Sequence, residues 1–331
     1  MGCLNSKDKP PVVVDDDNVN HYSWSDKSKV NPKDYTIENG KYETFIRKPG
    51  DIVGQQFIIE NCEFTNIALF DYINTITIDE CNNCTIFIGP TIGSVVLRNC
   101  VSCHIMCCAQ QFRSRDCKNI DIFLYCATQP AIESCYDLTF GCFSANYKGL
   151  EDQFKKANLS VLNNNWTNIY DFTLNDGEQH WSLFANSVKA EDYFSGIPND
   201  NDIDLSFNST ASIVPKTVGP MPTTLGISGE LCLAVIIAGE QTLKTAISLI
   251  NDMKNESEIY LLKTKEFNAI TTESQLMFDV EPNQVIVALL YKGLDCIKRS
   301  QNIGKGYSGV MFITDLMTIY KQMSVIFNTN N

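Results

Sequence analysis

The chain has 331 residues, a formal charge of −13 at pH 7 and 44% apolar residues. That length accommodates two domains with real cores. The acidic balance lacks the basic stripe that binding a phosphate backbone requires, so nucleic acid is not an expected partner.

The chain opens with MGCLNSKDKPP, which has no apolar stretch of the kind a secretory signal needs. Met1-Gly2-Cys3-Leu4-Asn5-Ser6 fits the N-myristoylation pattern, a glycine exposed once Met1 is removed and a serine at position six. A single myristoyl chain holds a bilayer only marginally, with an association constant on the order of 10⁴ M⁻¹. A palmitoyl group on Cys3 beside Gly2 gives the second anchor, so a membrane is an expected partner through these lipids. Residues 1–32 are polar, hold Pro10, Pro11 and the run Asp15-Asp16-Asp17, and read as an unstructured tether.

The strongest pattern follows. Cys62, Cys81, Cys100, Cys117 and Cys135 recur at steps of 19, 19, 17 and 18 residues. Five residues after each cysteine stand Ile67, Ile86, Ile105, Ile122 and Phe140, and seven after stand Leu69, Ile88, Cys107, Leu124 and Cys142. Three before stand Ile59, Ile78, Leu97, Ser114 and Ile132. Apolar residues at every second position are strands, and a period this short holds two or three strands and no long helix. The pattern predicts the coils of a parallel β-helix over roughly residues 33–145.

Fourteen cysteines, twelve of them before position 143, suggest a disulfide framework, but without a secretory signal they read as small buried thiols in a reducing cytosol. Cys81-x2-Cys84 and Cys100-x2-Cys103 have zinc-ribbon spacing. The repeat accounts for both pairs differently. Cys84 and Cys103 share a column with Thr65, Ile120 and Leu138, which is no metal-ligand set, so no metal is expected.

One coil departs from the pattern. Four residues before the cysteine stand Ile58, Thr77, Val96 and Ala131, and only Arg113 puts a charge there. Phe112 and Ser114 take the inward phase, so Arg113 points outward. Two before the cysteine the column reads Glu60, Asp79, Arg98, Arg115 and Glu133. With coils stacked about 4.8 Å apart, Arg115 falls between Arg98 and Glu133, and Glu133 is expected to reach Arg113 as well. Gln111 is expected beside Gln129. A guanidinium on a rigid face, flanked by amides and steadied by a carboxylate, suits planar or phosphate recognition, although the same spacing also describes a solvated, salt-bridged face.

Beyond the coils, Leu150 to Ala157 predicts a short helix which, with Trp166 and Trp181, is expected to cap the last open turn, closing a domain at 33–190. Residues 191–228 are rich in Asp, Asn, Ser, Thr and Pro and read as a linker. From 229 to 331, strands at Leu231–Gly239, Glu258–Leu262, Gln284–Tyr291 and Gly309–Thr314 alternate with helical spacing at Gln241–Met253 and up to Phe327, which predicts a small α/β domain. Gly304-Lys305-Gly306-Tyr307-Ser308-Gly309 spells GxGxxG but runs into a strand, so it reads as a glycine-rich turn and not as a dinucleotide site.

The octapeptide QQFRSRDC at Gln110–Cys117, the coil repeats around it and CATQPAIES at Cys126–Ser134 resemble the tubulin-binding cofactor C domain. The MGC start, NNNWTNIYDF at Asn163–Phe172 and the second α/β domain are similar to those members of the family that combine the domain with a lipid anchor. The family's basic run after that start is replaced here by Lys7-Asp8-Lys9, so help from anionic lipid is expected to be small.

The resemblance implies a right-handed parallel β-helix that activates GTP hydrolysis by an Arf-like small GTPase of the Arf-like 3 type, in its GTP form, during ciliary trafficking of lipidated cargo. The implied address is the cytoplasmic face of the plasma membrane and the cilium or its base. It places an arginine finger on Arg113, an assisting glutamine on Gln111, an arginine-holding carboxylate on Glu133 and a partner-contacting aromatic on Phe172, with Gln110 and Arg115 in support. GTP and Mg²⁺ belong to the partner; a monomer with no cofactor and no nucleotide hydrolysis of its own is expected. The C-terminal domain resembles the ferredoxin-like fold of nucleoside diphosphate kinase, whose nucleophile is a histidine; no histidine follows His180, so the domain is expected to be catalytically degenerate. Two other classes compete: a non-catalytic membrane-anchored scaffold or tubulin-folding module, and a carbohydrate-active β-helix, which the expected cytosolic N-terminus disfavours.

Overall fold

A computed structural model describes residues 31–173, 177–198, 202–219, 227–270, 275 and 277–327; Gly2 and Cys3 lie outside them. From Tyr35 onward the chain is one compact unit.

Its first part is a parallel β-solenoid. One face stacks β1 (Thr36–Glu38), β3 (Phe57–Glu60), β5 (Ile76–Asp79), the second half of β6 (Thr85–Arg98), the second half of β7 (His104–Arg115), β9 (Ala131–Glu133) and β11 (Tyr170–Asp171). A second face stacks β2 (Thr44–Arg47), β4 (Asn66–Leu69), the first halves of β6 and β7, β8 (Lys118–Cys126), β10 (Tyr136–Cys142) and β12 (Trp181–Leu183). Pairing is in register: Ile67 lies beside Ile86, Ile86 beside Ile105, and Ile105 beside Ile122. The columns read from the sequence are therefore real stacks, and every member of the cysteine column is buried.

The geometry of the corners explains why cysteine recurs. The residue before it takes a left-handed conformation at Asn61, Glu80, Asn99, Asp116 and Ser134, and so does the residue two after it at Phe64, Asn83, Ser102, Asn119 and Asp137. At each corner the carbonyl two residues before the cysteine accepts the amide of a left-handed residue in the preceding coil, as Arg98 does from Glu80 at 3.1 Å, and its second lone pair is left facing the core. Each column thiol donates to the carbonyl two residues before it: Cys62 to Glu60, Cys81 to Asp79, Cys100 to Arg98, Cys117 to Arg115 and Cys135 to Glu133, at 3.1–3.4 Å. Cys84 and Cys103 do the same at the following corner, where Thr65 uses its hydroxyl. The site selects a small side chain with one donor. In the first coil the position holds Gly40, where a Cβ would lie 2.9 Å from the Phe45 ring.

The cap differs from expectation. α1 (Leu150–Lys156) does not cover the open end. It packs on the solenoid flank, where Gln153 donates to the Phe70 carbonyl at 2.9 Å and Phe154 meets the rings of Tyr125 and Phe143. The end is covered by a further coil, β11 on β9 and β12 on β10. The segment expected to be a linker also packs. Phe194, Ile197, Ile203, Phe207 and Val214 belong to the solenoid's apolar core.

The C-terminal domain has a four-stranded antiparallel sheet in the order β14-β15-β13-β16, from β13 (Glu230–Ile236), β14 (Ile259–Asn268), β15 (Val285–Gly293) and β16 (Val310–Ile313). α2 (Thr242–Met253) follows β13, and α4 (Leu316–Ile326) follows β16. A helix that the sequence reading missed, α3 (Cys296–Gly304), precedes the glycine-rich turn.

Three consecutive asparagines join the two parts. Asn163 accepts from the Glu266 amide at 2.7 Å and donates to the Glu266 carbonyl at 3.0 Å, pairing with β14 as another strand would. Asn164 brackets β8 in the same way, through the Cys126 amide and the Leu124 carbonyl, and Asn165 donates to the Ala127 carbonyl. Trp166 follows and is buried, its indole bonded to Thr217.

Candidate functional site

The site is built on the flat outer surface of the first solenoid face. Along this row the outward residues are Thr77, Val96, Arg113, Ala131 and Tyr170, each in register with the next. Arg113 therefore rises between two short side chains, Val96 and Ala131. The next row out reads Asp79, Arg98, Arg115 and Glu133. Three guanidinium groups thus share two neighbouring coils, and their partners differ. Arg98 pairs with Asp79 at 2.8 Å and Arg115 with Asp116 at 2.9 Å. Among the described residues, Arg113 has no carboxylate partner; it makes one long hydrogen bond, donating to Gln111 Oε1 at 3.5 Å. The same oxygen accepts from the Ser94 hydroxyl at 3.2 Å, so Gln111 is tied to the preceding coil.

Three expectations need adjusting. Glu133 does not hold Arg113. In-register stacking sets it beside Arg115, while Arg113 lies beside Ala131, so the two are offset diagonally across adjacent strands. Gln129 donates to Asn168 at 3.3 Å rather than meeting Gln111. Gln110 leaves this face and lines a cleft of about 1040 Å³, shared with Phe154, Ile250 and Phe267, between α1 and the C-terminal domain.

Phe172 stands at the edge of the arginine face, 61% exposed, and packs edge-on against Tyr170 with ring centroids 4.4 Å apart. Between them Asp171 points inward to His180, whose ring is buried, at 2.8 Å. Burial alone would raise the Asp171 carboxyl, but hydrogen bonds from Thr173 and then His180 outweigh it and hold the group below its usual range. Thr173 also receives the Ser134 amide. The sequence reading missed Tyr170, Asp171 and His180. Alternation away from Phe172 was the signal, and the absence of a cysteine in this coil hid it.

The tubulin binding cofactor C family model matches residues 54–172, the span that carries this face. Over the longer chain, Protein XRP2 of Gallus gallus is 38% identical across 325 residues, 91% of this chain and 90% of that protein. Protein XRP2 of Homo sapiens is 42% identical across 301 residues, 88% and 84% of the two chains. Tubulin-specific chaperone C of Bos taurus is 30% identical across 136 residues, 41% of this chain and 39% of that protein. Among solved structures, Tubulin Binding Cofactor C from Leishmania major is similar over 43% of this chain and 86% of its own, at 20% identity and a TM-score of 0.31.

Proposed function

The chain belongs to the XRP2 family, and on that premise we propose that it activates GTP hydrolysis by an Arf-like small GTPase, supplying Arg113 in trans. The observation that carries this reading is the contrast among the three arginines: two are neutralised by carboxylates, and Arg113 is left uncompensated on a flat, rigid face. Charge builds on the γ-phosphoryl oxygens and the leaving oxygen as GTP is cleaved, and a guanidinium delivered from outside accelerates this step typically ~10³–10⁵-fold. Arginine suits the task because it stays charged and donates through a fixed fork. A fixed solenoid face presents that fork with little reorganisation during the reaction.

Gln111 aims Arg113 in the free protein and, on partner binding, turns toward the partner's attacking water. Glu133 engages Arg113 across the diagonal once the partner displaces the Gln111 bond. Phe172 contributes contact area and Arg115 holds the surrounding surface. GTP and Mg²⁺ arrive with the partner. Lipids on Gly2 and Cys3 place the activator on the cytoplasmic face of the plasma membrane, at the cilium or its base. The C-terminal domain is ferredoxin-like and related to nucleoside diphosphate kinase; its β-α-β-β-α-β order supports that reading. Lacking a histidine nucleophile, it serves packing or partner binding.

The reading is tested by titrating the protein against an Arf-like 3 GTPase loaded either with a non-hydrolysable GTP analogue or with GDP. Selective binding of the triphosphate form is expected. Equal affinity for both forms would contradict an activator that acts on the GTP state.

A further inference from the structure

We infer that Tyr170 is a second partner-contact residue, forming with Phe172 an aromatic wedge that sets the affinity for the GTPase, while Arg113 sets the rate. The inference rests on the function proposed above, and it concerns a residue that the sequence motifs did not single out.

Four observations carry it. Tyr170 lies in the same outward row as Arg113, two strands along, with only Ala131 between them. At the usual strand spacing the two backbones are about 10 Å apart, within one partner footprint. Second, the side chain is not needed for the core: Tyr170 is 48% exposed and Phe172 61%, in a coil whose inward residues are otherwise buried or partly buried. Third, their edge-to-face packing at 4.4 Å makes one continuous apolar ridge, with the Tyr170 hydroxyl free to reach a polar rim. Fourth, the ridge is held before any partner arrives. Asp171 is fixed to buried His180 at 2.8 Å, and Thr173 accepts the Ser134 amide at 3.0 Å. A rigid aromatic pair loses little conformational freedom on binding, and this is the property of residues that dominate interface energies. The surface it fits carries an exposed aliphatic or aromatic side chain with polar neighbours, beside the nucleotide site of the GTPase.

The test separates affinity from rate. The dissociation constant is measured for an Arf-like 3 GTPase loaded with a non-hydrolysable GTP analogue, and single-turnover hydrolysis is measured at saturating activator. Tyr170→Ala is expected to weaken binding at least tenfold and to leave the saturated rate within about twofold of wild type. Tyr170→Phe is expected to keep most of the affinity. Arg113→Ala is expected to show the opposite split. Thermal midpoints for all variants check that the fold is intact, and a Tyr170→Ala variant that unfolds early is replaced by Tyr170→Gln. If Tyr170→Ala binds as wild type does, the inference is wrong and the function proposal stands. If wild type binds but accelerates nothing, the function proposal fails, and the Tyr170 binding result still decides this inference. If wild type does not bind, both fall together.

Discussion

Arg113 and Gln111 stand two positions apart on the outward face of one strand, and the arginine fork donates to the glutamine oxygen that also accepts from Ser94 in the preceding coil. The guanidinium is thereby aimed without being neutralised. Replacing Gln111 with Ala removes the aim and leaves the charge. With the partner bound, Gln111 turns to the attacking water; losing one such orienting hydrogen bond corresponds to roughly tenfold in rate, so Gln111→Ala should lower the saturated single-turnover rate about tenfold. A rate unchanged from wild type would remove Gln111 from the mechanism.

The thiol-to-carbonyl bonds at the corners predict an unusual substitution pattern. Cys100→Ala removes the second of two donors to the Arg98 carbonyl, which keeps the Glu80 amide, and should cost about 0.5–1.5 kcal/mol in urea unfolding. Cys100→Ser restores a donor, as Thr65 does at its own corner, and should lie closer to wild type than Ala. If serine proves the worse of the two, the thiols are there for volume and not for the bond.

Asn163 makes two of the hydrogen bonds that tie β14 to the solenoid, beside the one from Thr264 to the Leu162 carbonyl and those from the Val218 and Gly219 amides to the Leu261 and Leu262 carbonyls. Asn163→Ala should therefore loosen the C-terminal domain without softening the solenoid. Calorimetry is expected to resolve a single wild-type transition into two, with the lower one moving and the upper one fixed. A uniform downward shift of one transition would mean that the asparagine serves the solenoid instead.

The Asp171 carboxyl is held below its usual range, so its ionised form is favoured in the folded state. Its contribution is fully present above the unfolded carboxylate value of about 3.9 and is lost as the pH falls through the lower folded value. The stability gap between wild type and Asp171→Asn should therefore close as the pH falls below about 4. A gap that persists to pH 2 would show that the contact does not depend on the charge.

The solenoid was legible in the sequence because its coils are nearly equal in length and its strands are strictly in register, so the columns from Ile59 to Cys142 fall out of one alignment. The same arithmetic placed Arg113 outward and Arg115 between Arg98 and Glu133. It failed where the repeat stops carrying its marker. The coil of Tyr170 has two-residue pairing on one face and no cysteine, so of the expected cap of helix, Trp166 and Trp181, Trp181 lies in the covering coil and the helix does not. Phe194, Ile197, Phe207 and Val214 are single apolar residues in a polar stretch, and only the folded surface they cover shows that they are core. Glu133 was within reach of Arg113 by distance alone. Register sets Glu133 beside Arg115, yet Arg115 turns to Asp116 instead, and spacing does not carry that rotamer choice. β14 extends well past its apolar start because Lys263 and Lys265 lie inside it, and charges there break the strand signal.

The central claim is that Arg113 is supplied in trans to a GTPase active site. The most direct measurement is single-turnover GTP hydrolysis by an Arf-like 3 GTPase at saturating activator, comparing wild type, Arg113→Ala and Arg113→Lys. The account predicts acceleration by wild type of roughly 10³-fold or more, lost in Arg113→Ala and not restored by lysine, with GTP-state binding retained in both variants. Full acceleration by Arg113→Ala, or tight binding by wild type with no acceleration, would contradict it.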